Sequence, residues 1–175
     1  MTTFQIIHFI PRDRQAQILA LPVHCILACP HSQEAGTNHW CFYLSTSPTT
    51  SVQLDCVPSY TAPRTMLPGG SKANLVISEL NTETSPDIQA RFGLDVKSGV
   101  SVGRIIEEIT TNGRYKYEFD ENGVGCRFWV TEQIDLLYQA GIVCNWAQVE
   151  EARAGVVKLW PDWTMLPLDQ GAYYE

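Results

Sequence analysis

The stretch Asn122-Gly123-Val124-Gly125-Cys126-Arg127-Phe128-Trp129-Val130 leaves the chain few options. Two glycines interrupt any regular element before Cys126. From Cys126 onward Trp129, Val130, Ile134, Leu137 and Ala140 recur at i, i+3, i+4 spacing, the mark of a helix with one buried face, and Gly141 closes it as a C′ residue. A turn that hands over to a helix in this way puts Cys126 at the helix start. Unpaired N–H groups and the positive end of the helix dipole favour a thiolate there, and at such sites cysteine pKa values fall from about 8.5 to roughly 3.5–7.5. Arg127 adds a positive charge next door. The competing reading makes Cys126 one more small apolar core residue.

A second informative stretch lies upstream. In Asn38-His39-Trp40-Cys41-Phe42-Tyr43-Leu44, alternation puts Trp40, Phe42 and Leu44 on one face of a strand and His39, Cys41 and Tyr43 on the other. The next strand, residues 51–57, adds Val52, Leu54 and Cys56 to the apolar face, which leaves Gln53 and Asp55 on the face of His39. If the two strands pair with their apolar faces together, Asp55 lies opposite His39 or one diagonal step away. A carboxylate or amide there fixes the histidine tautomer and raises its basicity, as a base acting on a thiol requires. The alternative is a half-buried strand histidine bonded to backbone. Candidate catalytic residues are therefore Cys126, His39, Asp55 and Gln53, and the large or charged neighbours Trp40, Tyr43, Arg127 and Trp129 are candidate substrate contacts.

The remaining chain alternates short elements with turns. Strands are expected over residues 4–10, 23–29, 75–80, 92–96 and 115–119, and a short helix over 13–21. Residues 30–38 and 58–74 read as loops, the second long enough to act as a flap. Ser101 caps a helix with Val102, Ile105, Ile106 and Ile109 inward, and a last helix spans 146–159 with Asn145 as cap and Gln148 completing a capping box. Residues 160–175 carry two tryptophans and two tyrosines without helical or strand period, so they are expected to pack across the domain as an aromatic tail. Asp169, Gln170, Tyr173 and Tyr174 of that tail are placed on the surface or at the edge of a site. This pattern predicts one α+β domain over residues 1–175, an antiparallel sheet packed against helices.

Composition narrows the function. A formal charge of −7 with no cluster of Lys or Arg disfavours a nucleic-acid groove or an anionic membrane as partner, so a pocket for a small molecule is the expectation. No apolar run approaches the roughly 20 residues of a membrane span, and residues 1–9 are too short and polar for a signal sequence, which points to a cytoplasmic protein. In such a reducing compartment the six cysteines are not expected to pair. Cys25, Cys29, Cys41 and Cys56 lie in apolar runs and read as buried thiols. His24, Cys25, Cys29 and His31 lack zinc-ligand spacing, so neither a metal nor another cofactor is expected. There is no Gly-rich phosphate loop and no Gly-x-Ser-x-Gly elbow.

A histidine at a strand start, a partner strand with a polar residue, and a later strand-turn-helix with Cys126 at the helix start resemble the circularly permuted papain-like proteins. These include permuted NlpC/P60 peptidases, lecithin:retinol acyltransferase-like enzymes and PPPDE-type peptidases. The cysteine of those families is often announced by Asn-Cys-x-x-Phe; Gly125-Cys126-Arg127-Phe128-Trp129-Val130 is similar, with Gly in place of Asn. The resemblance covers roughly residues 23–140. It implies a permuted papain-like fold, Cys126 as nucleophile, His39 as base and Asp55 or Gln53 as orienter, hence a hydrolase or acyltransferase for a small amide, ester or thioester. The second histidine of the acyltransferase-like branch is missing from residues 51–57, which disfavours phospholipid acyl transfer. The whole sequence is also similar to small fungal proteins known as a domain of unknown function, some serving secondary metabolism. Two further readings use the same pocket: acid/base cyclisation or isomerisation of a metabolite by His39, Cys126 and Asp55, and a non-catalytic binding module.

Overall fold

The structure is a computed structural model and describes residues 6–64 and 66–175. In chain order its elements are β1 (Ile7–Phe9), α1 (Gln15–Leu19), β2 (Cys25–Glu34), β3 (Thr37–Ser47), β4 (Thr50–Pro63), β5 (Ser71–Leu80) and β6 (Phe92–Asp95). They continue with α2 (Val102–Thr111), β7 (Tyr117–Phe119), α3 (Cys126–Gln139), α4 (Trp146–Val156), β8 (Lys158–Leu159), β9 (Thr164–Met165) and β10 (Ala172–Tyr173). The main sheet runs β10-β7-β5-β4-β3-β2-β6, every neighbour antiparallel. β1 joins it in parallel along β5, and β8 and β9 form a separate ribbon. The fold is thus mixed α and β, a curled, largely antiparallel sheet with four helices in one domain.

Alternation explains the central strands. Phe42 pairs with Leu54 and Leu44 with Val52. This sends Trp40, Phe42, Leu44, Val52, Leu54 and Cys56 into one core with Val102, Ile105 and Ile109 of α2 and Trp129, Val130 and Ile134 of α3. Each such side chain gains ~1.5–3 kcal/mol on burial, and a one-residue slip of either strand would turn its three outward, a loss of roughly 5–9 kcal/mol that rivals a domain's whole stability. The register is therefore fixed. Trp129 of α3 lies 6.1 Å, ring to ring, from Phe42 of β3 and docks the helix on the strand that carries His39.

Several expected boundaries move. The loop expected over 30–38 is a hairpin: β2 continues to Glu34 through a register shift between Pro30 and Gln33, and Ala35 and Gly36, at φ 52° and 80°, make the two-residue turn. The loop expected over 58–74 shrinks too, because β4 extends to Pro63 and β5 starts at Ser71. The short connection between them is tied down by Glu118 of β7, which accepts hydrogen bonds from Met66 N (2.8 Å) and Leu67 N (3.0 Å). Of the strand expected over 4–10, residues 4 and 5 lie outside the described residues, and β1 is the remainder.

Asn145 does cap α4, accepting from Ala147 N at 3.1 Å, but Gln148 closes no capping box. Its Oε1 instead accepts from Asp95 N at 2.7 Å and pins the helix to β6. The last helix stops at Val156, its expected end becoming β8, and the tail, expected to lack period, supplies β9 and β10. Trp160 meets Asn38 in both directions, its N–H donating to Asn38 Oδ1 at 2.7 Å and its carbonyl accepting from Asn38 Nδ2 at 2.8 Å. Among the described residues no helix is long and apolar enough to cross a membrane.

Candidate functional site

Gly125 makes the hand-over into α3. It is the residue before the helix, with φ 149°, a conformation that side chains disfavour, and a Cβ there would lie 3.2 Å from Tyr117 Oη and 3.3 Å from Phe119 Cδ1. Tyr117 donates its hydroxyl to Gly125 O at 2.8 Å, and Asp120 Oδ1 accepts from Asn122 N and Val124 N, both at 2.9 Å. Turn and strand together fix the position of Cys126. Ser101 and Asn145 cap α2 and α4, whereas no side chain caps the start of α3.

Cys126, 5% exposed, lines the floor of a cleft of about 330 Å³. The walls are Glu34, Ala35, Thr37, Asn38 and His39 of the β2–β3 hairpin, Asp55, Val57, Pro58 and Tyr60 of β4, and residues 122–124 of the turn. His39 Nε2 lies 2.6 Å from Asp55 Oδ1, and the two side chains are 33% and 17% exposed. The register that pairs residue 42 with residue 54 places Asp55 one diagonal step from His39. Cys126 interacts electrostatically with the same ring, and with Nε2 given to Asp55 the ring's Nδ1 is left for a further partner. Burial opposes a charged ring, but the electrostatic interaction with Cys126 and the bond to Asp55 outweigh it and raise the His39 pKa well above its ordinary value. Cys126 also points at Asn38 O, 3.9 Å away.

Gln53 is not the partner of His39. Two residues before Asp55 in β4, its Nε2 donates to Cys41 Sγ (3.4 Å) and sits 3.5 Å from Tyr43 Oη. Nor do the four expected substrate contacts reach the cleft. Trp40 is fully buried on the opposite face of the sheet, its ring 5.5 Å from Phe92. Tyr43 shares a face with His39 but lies four residues along, roughly 13 Å of strand, where it contacts His31 Nε2 at 2.7 Å. Arg127 is 2% exposed and gives its guanidinium to the carbonyls of Val156 (2.8 Å), Pro167 (2.9 Å) and Leu166. Trp129 is buried and donates to Arg114 O at 2.8 Å. The tail residues Asp169, Gln170, Tyr173 and Tyr174 do not line the cleft either.

Glu34, Thr37 and Tyr60 are wall residues that the sequence did not single out. Tyr60 adopts φ 56° and lays its hydroxyl against Gly123, which has no side chain in the way. All six cysteines are free. Burial raises the pKa of Cys29 to about 12 and pushes Cys25, Cys41 and Cys56 up as well, so those four stay as thiols. Burial lowers the His31 pKa, and the nearby His39 lowers it further against the pull of Asp87. Among the described residues no three His, Cys, Asp or Glu side chains converge as metal ligands.

No curated protein and no solved structure matches the chain. A family model does, over residues 23–174, a span that takes in both walls of the cleft and Cys126 itself. The chain belongs to that family, described as Domain of unknown function (DUF7770).

Proposed function

We propose that the protein is a cysteine-dependent hydrolase or acyltransferase for a small amide, ester or thioester, with Cys126 as nucleophile, His39 as base and Asp55 as its orienter. One observation carries the reading: His39, bonded to Asp55 at 2.6 Å, and Cys126 line the same open cleft, the ring and the sulfur close enough to interact electrostatically. Nucleophile, base and orienter within hydrogen-bond reach are what thiol acyl transfer needs. The chain order of histidine strand, carboxylate strand and cysteine helix supports a permuted papain-like architecture.

In the first half-reaction Cys126 Sγ bonds the acyl carbon and the carbonyl π electrons move onto oxygen. The backbone N–H of Cys126, at a helix start that no side chain caps, donates to that oxyanion; one such donor is worth about 10²–10³ in rate. As the tetrahedral adduct collapses, the bond to the alcohol, amine or thiol breaks and the leaving atom takes the proton from His39. In the second half, water or an acceptor hydroxyl or amine gives its proton to His39 and attacks the thioester, which frees the sulfur. Asp55 holds Nε2 throughout, so that Nδ1 serves the thiol.

The test uses p-nitrophenyl acetate, a phenyl thioacetate and an anilide, with intact mass spectrometry. Expected is an acetyl adduct on Cys126 that decays with turnover, absent in Cys126→Ala and formed at least about 100-fold more slowly in His39→Ala. Turnover that survives Cys126→Ala, or no adduct and no turnover with any of the three, overturns the reading. Survival in Cys126→Ala with loss in His39→Ala assigns the cleft to acid/base chemistry instead.

A further inference from the structure

We infer that the cleft selects acyl compounds carrying a positive charge, an amine or quaternary ammonium, beyond the acyl carbon, and that Glu34 makes the selection. The inference rests on the acyl-transfer reading and adds the substrate class. The lining has two sides. Val57, Pro58, Tyr60 and Val124 offer hydrocarbon, and the hairpin lip opposite offers Glu34, Thr37 and Asn38. Glu34 ends β2, paired across the turn with Thr37, and is exposed at the mouth.

The charged groups of the cleft are two carboxylates and one imidazole. Glu34 and Asp55 line it, and no lysine or arginine does. Asp55 is engaged by His39 at 2.6 Å. The two offset each other, which leaves Glu34 as the unbalanced charge of the cleft. Glu34 makes no ion pair among the described residues, so no side-chain cation competes with an occupant for its carboxylate. The net charge of −7 adds to the same field.

Size sets the other limit. A cleft of about 330 Å³ stands at the small end of ligand pockets, so it takes a short acyl chain along the apolar wall with its charged end at Glu34. Thioesters of phosphate-bearing carriers meet only repulsion at this mouth. A unit charge a few ångströms from Glu34 at a partly exposed site shifts binding roughly five- to tenfold.

The experiment compares three p-nitrophenyl esters of equal length: hexanoate, its trimethylammonio-terminated counterpart, and the adipate half-ester. Expected kcat/KM falls in the order cationic, neutral, anionic, about five- to tenfold per step. Added salt compresses the ratios, Glu34→Gln brings the cationic-to-neutral ratio close to one, and the control Glu150→Gln on α4 keeps it. In parallel, hexyltrimethylammonium and hexanoate are compared as protectants of Cys126 against iodoacetamide. This second readout needs no turnover, so the charge preference is decided even if none of the esters reacts. Turnover of the neutral ester with a flat or reversed charge order, or with an order untouched by Glu34→Gln, overturns the inference and leaves acyl transfer standing. Equal protection by the two ions overturns it as well.

Discussion

Replacing Asp55 by Asn should weaken the ionisation of Cys126 without touching the sulfur. The 2.6 Å bond from His39 Nε2 to a carboxylate is charge-assisted, a class worth about 1.5–3 kcal/mol. Both side chains are partly exposed, 33% and 17%, so solvent screening brings this to roughly 1–1.5 kcal/mol. At 1.36 kcal/mol per pKa unit, the His39 pKa should fall by about one unit, and the thiolate–imidazolium pair should be about tenfold less populated below neutrality. The assay is the pH profile of iodoacetamide alkylation in a Cys25→Ser, Cys144→Ser background, which removes the two thiols that are not buried, with the adduct placed by peptide mass spectrometry. Expected is a rate reduced about tenfold near pH 6 in Asp55→Asn, converging with the parent at alkaline pH, where the thiol ionises without help. A profile that overlays the parent throughout refutes the coupling of Asp55 to Cys126 through His39.

The pH dependence of stability follows from the same ring. His39 titrates higher in the folded protein than in the unfolded chain, so its stabilisation is whole below about pH 6.5 and is lost as pH rises through the folded value. The difference in thermal midpoint between parent and His39→Gln should therefore narrow on going from pH 6 to alkaline pH; a gap that widens contradicts the assignment. Arg127→Met strands the carbonyls of Val156, Leu166 and Pro167 and should destabilise by about 3–5 kcal/mol, lowering the melting temperature by roughly 10 °C or more, as read by calorimetry. If Arg127 instead served only the substrate, that variant would melt normally. Gly125→Ala forces a side chain into φ 149° and against Tyr117 and should destabilise by about 1–3 kcal/mol in urea unfolding while slowing Cys126 alkylation.

The candidate site was legible where local periodicity decides geometry. Alternation in residues 38–44 and 51–57 fixed the register, and the register places Asp55 diagonally from His39. The stripe from Cys126 to Ala140 likewise foretold α3, and the glycines before it foretold the turn. The same alternation already argued against Trp40, because neighbours of a strand residue face the other way, and its indole went to the core. Arg127 misled for a related reason: one residue further on, a helix turns by about 100°, which carries the guanidinium from the cleft to the C-terminal segment. What could not be read were long-range partners. Nothing near Glu118 in sequence announces the amides of residues 66 and 67, and nothing near Asn38 announces Trp160. Prolines at 30 and 58 and a polar run around residue 35 disguised strands as loops, since a register shift absorbs their missing donors.

Asn38 ties the last segment of the polypeptide to the candidate site. Its amide grips both backbone groups of Trp160 and reaches the carbonyl of His31, while its own carbonyl receives the thiol of Cys126. Residues 160–175 thereby brace the strand position immediately before His39. Clipping them by limited proteolysis should extinguish thiol reactivity while circular dichroism still reports most of the sheet and helices, so the site should fail before the scaffold does.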